Sequence, residues 1–346
     1  MTATSSDILA VPAHRVAAIE RLATELTPGR RVAVSTHMNA DGDGCGSEVA
    51  TVLLLRQMGL EAEIVNPTPW PATFDFLLRE GVVDRTAQGS KALKRADVVL
   101  VLDISDVKRL GVLAESVRTL SVPKLVIDHH VPSDEPPGPV MLADTSACAT
   151  GELIFDVART LQLEITPRIA EALYVAILTD TGSFRFSNTS PRCHAVAGAL
   201  LTAGVNPEEM YRRVYASAPV GRVRLLAEAL GTLEVDAEHG LSWLSLPAGA
   251  LERYELKSDD LDGIVEHARS IAGTRMALFF RDLGHGKVKV SFRSTGDVDV
   301  NRFARQFAGG GHAKASGALV EGSLPEVRDR VIAAARHYLA QATGGR

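Results

Sequence analysis

Three cysteines among 346 residues, Cys45, Cys148 and Cys193, form no C-x-x-C pair and are odd in number. That excludes a disulfide framework and fits a reducing compartment. A basic excess is also missing. The net charge of −5 gives no global field for long nucleic acid, so an anionic substrate would need a local cluster or metal ions to hold it. No run reaches the roughly 18 uncharged apolar residues of a membrane span. The first ten residues lack the basic region and apolar stretch of a signal peptide. These absences leave a soluble, cytoplasmic protein with no membrane partner. What is present is globular: 46% hydrophobic and 23% charged residues. The length exceeds the roughly 250–300 residues at which a single core stops growing, so two domains are expected.

Along the chain, Val16, Ile19, Leu22 and Leu26 have helical spacing. Short apolar strands follow at 31–36, 62–66, 97–102, 124–127 and 140–143. Helices are expected over 47–58, 108–120, 150–161, 167–178, 192–203 and 207–216. Strands alternating with helices argue for an α/β domain with a mostly parallel sheet, whose ligands gather beyond the carboxyl ends of the strands. The pattern changes near 216–231. Strands at 232–235 and 241–246 and a hairpin over 275–293 then lead to a closing helix at 325–341. The expected organisation is a catalytic domain over 1–216, a linker helix over 217–231 and a smaller α/β domain over 232–346.

Four elements of the first domain end in ionisable groups. His37, Asp41 and Asp43 follow the strand at 31–36, Asp103 follows 97–102, Asp128-His129-His130 follows 124–127, and Asp180 follows the helix over 167–178. Alone, Asp41-Gly42-Asp43-Gly44 is equally a turn that caps a helix. Asp103 alone could cap the turn after its strand. Three adjacent ionisable groups at the end of a buried strand are costly unless they bind something. Imidazole and carboxylate without thiolate suit Mn²⁺ or a related ion better than a structural Zn²⁺ cage. Six candidate ligands (His37, Asp41, Asp43, Asp103, His129 and Asp180) are too many for one tetrahedral ion. They suit two metals sharing a carboxylate, as in phosphoryl transfer to water. The residues 144–150, ahead of a helix, could meet a phosphate through hydroxyls and amides or simply cap the helix.

The ordered set His37-x-x-x-Asp41-Gly42-Asp43, Asp103, Asp128-His129-His130, Asp180-Thr181-Gly182 and Gly309-Gly310-Gly311-His312 resembles the DHH–DHHA1 phosphoesterases, near the bacterial oligoribonuclease/pAp-phosphatase type. The resemblance implies that His37, Asp41 and Asp103 hold one ion. Asp43, Asp103, His129 and Asp180 would hold the second, Asp103 bridging. Two divalent ions are implied, Mn²⁺ first, with Mg²⁺ or Co²⁺ as alternatives. His130 would face the scissile phosphate, and Asp128 would orient the imidazoles. Arg293, Ser294, Gly309, Gly310, Gly311 and His312 would bind substrate phosphate, sugar or base across an interdomain cleft, and a homodimer is implied.

The glycine triplet alone is a weak signal, equally a flexible turn. Its basic surroundings (Arg275, Arg281, Lys287, Lys289, Arg293, Arg302, Lys314) stand out in an acidic chain, although a solvated hairpin face explains part of them. The function this points to is hydrolysis of short oligoribonucleotides to mononucleotides and of 3′-phosphoadenosine 5′-phosphate to AMP. A cyclic-di-AMP phosphodiesterase is the alternative within the class. A nucleotide-binding sensor, the non-enzymatic alternative, should have lost ligands, and all six are present. Long duplexes are not expected partners.

Overall fold

The computed structural model describes residues 8–261, 263–311 and 313–343, in two units that divide after Ser217. The first unit is built on β1 (Arg31–Ser35), β2 (Glu61–Ile64), β3 (Val98–Leu102), β4 (Lys124–Asp128) and β5 (Val140–Ala143). All pairings are parallel, in the order β2-β1-β3-β4-β5. Every residue of β3 is buried, the mark of a parallel sheet covered on both faces. Val32, Val34, Leu100, Leu125 and Ile127 face the larger core. That core is shared with α1 (Ala13–Glu25), α2 (Gly42–Gln57), α3 (Thr150–Thr160), α4 (Pro167–Asp180) and α5 (Pro191–Thr202), with α6 (Pro207–Tyr215) beside them. Ala33, Val99 and Val101 face a smaller core with Leu93, Leu110 and Val117. The strand order reverses between β1 and β3, which opens a crevice at their carboxyl ends.

Helix α2 starts five residues earlier than the expected 47, because the glycines read as loop are helical. Asp41 caps it, its Oδ1 accepting from the Gly44 amide at 3.1 Å. Two of the three glycines in the first turns, Gly42 and Gly46, serve a close helix crossing, and Gly44 packs on Thr36. A Cβ on Gly46 would stand 2.3 Å from the Ala172 carbonyl of α4, and one on Gly42 2.4 Å from Thr179 Cγ2. Gly46→Ala should therefore destabilise the protein by about 1–3 kcal/mol, the usual cost of overpacking, as urea unfolding would measure. Equal stability would remove the packing account. The expected helix over 108–120 is instead broken at Gly111, with φ 50° and ψ −120°.

The second unit begins with α7 (Val220–Leu230). Expected as a linker, this helix buries Leu225 and Ala229 against Leu244, Leu246 and Phe279 of its own unit. Its mixed sheet comprises β6 (Glu234–Asp236), β7 (Leu241–Leu246), β8 (Met276–Asp282), β9 (Lys287–Ser294), β10 (Gly310–Gly311) and β11 (Ala315–Glu321), in the order β10-β11-β9-β8-β7-β6. Only β7 and β8 run parallel. Helices α8 (Ile264–Arg269), α9 (Val300–Ala304) and α10 (Leu324–Thr343) complete the unit, with Phe280, Phe292, Phe303, Val331 and Leu339 in a core beneath α10. Among the described residues, no helix is long and apolar enough to cross a membrane.

Candidate metal centre

The chain brings all six candidate ligands together at the β1–β3 crevice. His37 lies two residues past β1, Asp41 and Asp43 open α2, Asp103 follows β3, His129 follows β4, and Asp180 ends α4. Asp103 is a buried non-glycine residue at φ 62°, a left-handed conformation that acidic and amide residues tolerate better than most. Its two oxygens divide. Oδ2 is 3.4 Å from His37 Nε2, which is 3.6 Å from Asp41 Oδ2. Oδ1 is 3.6 Å from His129 Nε2, which is 3.7 Å from Asp43 Oδ2 and 3.6 Å from Asp180 Oδ2. These separations are too long for good hydrogen bonds. They suit donors that converge on a common cation at about 2.0–2.2 Å each.

The imidazoles are oriented for that task. His37 Nδ1 lies 2.9 Å from the Met38 carbonyl and His129 Nδ1 3.3 Å from that of Ala147, which assigns the proton to Nδ1. Both Nε2 atoms are buried without a hydrogen-bond partner and face carboxylates. The crowded acids call for positive charge. Burial pushes Asp43 well above the usual carboxylate range, and the charges of Asp103, Asp180 and Asp41 add to it. Burial pushes Asp180 up to about 6, with His129 pulling it down and Asp103 pushing it up. Burial opposes the imidazolium of His37, yet the facing Asp103 and Asp41 carboxylates raise it to about 10. An imidazole and carboxylate donor set of this kind fits a borderline-hard divalent cation.

A layer behind these ligands holds them. The first amides of α3, Thr150 and Gly151, donate to the two oxygens of Asp43 at 2.7 and 3.0 Å, and Ser47 Oγ adds 3.1 Å. Thr150 Oγ1 also donates to Asp103 Oδ1 at 3.1 Å. The amides that could have met a phosphate are thus spent on Asp43. Ser146 is turned to Asp144 instead. Asn188, which no sequence pattern singled out, bonds Asp180 Oδ2 at 3.2 Å and the Cys148 carbonyl at 2.8 Å.

His130 differs from its neighbour. It is half-exposed, and its Nδ1 donates to Asp128 Oδ1 at 2.8 Å, the main reason its pKa is raised. Asp128 is buried and orients this imidazole alone, since the Ala147 carbonyl orients His129.

Residues 31–177 match the model of the DHH family, N-terminal domain, and residues 246–341 match the DHHA1 domain. A bifunctional oligoribonuclease and PAP phosphatase, NrnA, from Thermus thermophilus is 33% identical over 89% of this chain and 90% of its own length. The chain belongs to the DHH–DHHA1 family. The NrnA of Bacillus subtilis is 28% identical over 82% of this chain and 87% of its own. An exopolyphosphatase-related protein from Bacteroides fragilis shares the fold, with a TM-score of 0.84 at 24% identity over 94% of this chain and 97% of that one.

In the DHHA1 segment the expected substrate residues that are described lie at the end of β9 and at β10. Arg293 Nε donates to Glu266 Oε1 at 3.0 Å and its Nη1 to the Phe292 carbonyl at 3.1 Å. Ser294 is buried, its hydroxyl donating to the Val298 carbonyl at 2.7 Å. Gly310 and Gly311 form a short strand against Gly317 and Ser316, so part of the expected loop is paired. A Cβ on Gly309 would stand 2.3 Å from the Gly317 carbonyl, so this glycine is required by the hairpin itself. His312 lies outside the described residues.

Proposed function

We propose that this chain is a metal-dependent phosphoesterase that hydrolyses short oligoribonucleotides to mononucleotides and 3′-phosphoadenosine 5′-phosphate to AMP. The observation that carries the reading is Asp103, whose two oxygens serve two donor groups, each with an unpartnered imidazole Nε2. His37, Asp41 and Asp103 would hold one ion, and Asp43, Asp103, His129 and Asp180 a second. When bound, two divalent ions, Mn²⁺ in first place ahead of Mg²⁺ or Co²⁺, neutralise developing charge and acidify water.

The chain's own groups do the rest. Thr150, Gly151 and Ser47 fix the Asp43 carboxylate, and Asn188 fixes that of Asp180. Asp128 anchors His130 through Nδ1, so His130 Nε2 can donate to a phosphoryl oxygen. Arg293, Ser294, Gly309, Gly310, Gly311 and His312 bind the remainder of the nucleotide in this reading. Basic enrichment in the C-terminal segment and the activities for which the NrnA relatives are named support it. The same reading makes the protein a cytoplasmic homodimer, which sedimentation equilibrium tests for assembly.

Kinetics with added Mn²⁺ on a pApA dinucleotide, 3′-phosphoadenosine 5′-phosphate and cyclic-di-AMP decide among substrates. The expected order places the linear dinucleotide first, and failure to release mononucleotide from it sinks the reading. His130→Ala should lower kcat about 10²–10³-fold, the scale of a lost proton-donating group. Its Mn²⁺ affinity should stay within a fewfold in calorimetric titration. A collapse of metal binding would instead make His130 a ligand.

A further inference from the structure

Arg109 stands in the helical turns over Val107–Leu113 that follow β3 and has no part in the site as described so far. Its backbone is tied to the centre. The Arg109 carbonyl accepts from the Met38 amide at 2.9 Å, one residue past His37. Two residues on, Gly111 adopts φ 50°, and a Cβ there would stand 2.4 Å from Met38 Sδ. That close approach presses the turn against Met38 and fixes where Arg109 leaves the backbone.

The Arg109 side chain is partly buried, and among the described residues it makes no hydrogen bond or salt bridge. Elsewhere in the chain, Arg15, Arg118, Arg192 and Arg212 all pair with carboxylates. Its charge nevertheless reaches the site. The bond to Asp128 raises the pKa of His130, while burial and Arg109 pull it down. Burial raises the Asp41 carboxyl, His37 outweighs that, and Arg109 adds to the lowering. Arg109 thus leaves a backbone bonded to the residue after His37, within electrostatic reach of Asp41 and His130, with its hydrogen-bonding fork unspent. Asp41 does not take it up, being turned to His37 and the Gly44 amide.

We propose that Arg109 is an anion-binding residue of this centre, gripping the phosphoryl oxygens of the substrate beside His130. The assignment rests on the phosphoesterase reading. Guanidinium suits the task because its planar fork matches phosphate oxygens bidentately and stays charged at any working pH. A lysine at this position would keep the charge and lose the fork.

The test is calorimetric titration of inorganic phosphate into the full-length Mn²⁺-loaded protein. Arg109→Met should weaken phosphate binding at least about tenfold, the scale of a lost charge-assisted bond. Arg109→Lys should recover part of it, and Mn²⁺ affinity without phosphate should stay within twofold in both variants. On the pApA dinucleotide, kcat/KM of Arg109→Met should fall by a comparable or larger factor. Unchanged phosphate affinity overturns the proposal. So does a parallel loss of Mn²⁺ affinity, which would make Arg109 a support for Asp41. Should the wild type bind phosphate through Arg109 but leave dinucleotides intact, the substrate reading fails while the residue assignment stands.

Discussion

Asp103→Asn lowers turnover of a pApA dinucleotide by at least about 10³-fold, equivalent to some 4 kcal/mol of lost transition-state stabilisation. The reason is the division of labour at its carboxylate. Oδ2 faces His37 and Oδ1 faces His129, so an amide deprives both groups of the shared negative charge and points N–H hydrogens at one of them. Mn²⁺ stoichiometry should fall with activity. The substitution suits the fold: asparagine accepts the backbone angle of φ 62°, and the Thr150 hydroxyl can still donate to its oxygen. Stability should even move the other way. The charge of Asp103 helps push both Asp43 and Asp180 upward, and the His37 imidazolium that it helps hold keeps Asp41 as a partner, so its removal relieves the metal-free protein. Chelator-treated variant should unfold at a temperature equal to or above that of chelator-treated wild type. Undiminished turnover would remove the bridging role, and a lowered unfolding temperature would remove the repulsion argument.

That carboxylate was legible in the sequence because a run of five buried apolar residues, Val98–Leu102, ends on it. The same contrast marks Asp128 at the end of β4 and His129 and His130 after it. Sequence spacing is poorer at reading positions whose reason lies in another element. Gly42, Gly44 and Gly46 look like a loop until α4 and Thr36, just past β1, are seen to press on them. Strand β11 is hard to see inside a glycine-rich stretch because Ser316, Ala318 and Val320 alternate inward with little apolar bulk. The amides of Thr150 and Gly151 could serve a phosphate or a carboxylate, and only the fold shows that Asp43 occupies them. The resemblance implies Asp128 as the partner of both following imidazoles. Successive residues leaving a strand point to different sides, so it reaches His130 and not His129.

Arg15→Met should destabilise the protein by about 3–5 kcal/mol, the cost of breaking a buried ion pair and stranding its partners. Arg15 is 1% exposed. It reaches Asp144 and Glu152 at 2.7 Å and Asp156 at 2.8 Å. Arg192 shares the last two acids, so the native cluster sets two guanidiniums against three carboxylates, and the variant leaves one. The cluster joins α1, α3 and α5 behind the metal centre, and Glu152 also accepts from the Cys148 amide ahead of α3. Loss of Arg15 therefore loosens the helix whose first amides hold Asp43, and Mn²⁺ affinity should drop along with stability. Acid gives the discriminating readout. Burial raises Asp144, but Ser146, His14 and Arg15 outweigh it and hold the carboxyl far below its ordinary range. A group depressed in this way adds stability above its unfolded pKa of about 3.9 and loses it as pH falls toward the folded value. Wild type should surrender that part of its advantage on acidification, whereas Arg15→Met has already lost the share that Arg15 supplies beside Ser146 and His14 at pH 7. Urea unfolding at pH 7 and near pH 3 should then show the gap between the two proteins narrowing. A gap that stays constant would assign the effect of Arg15 to packing of its side chain and not to its charge.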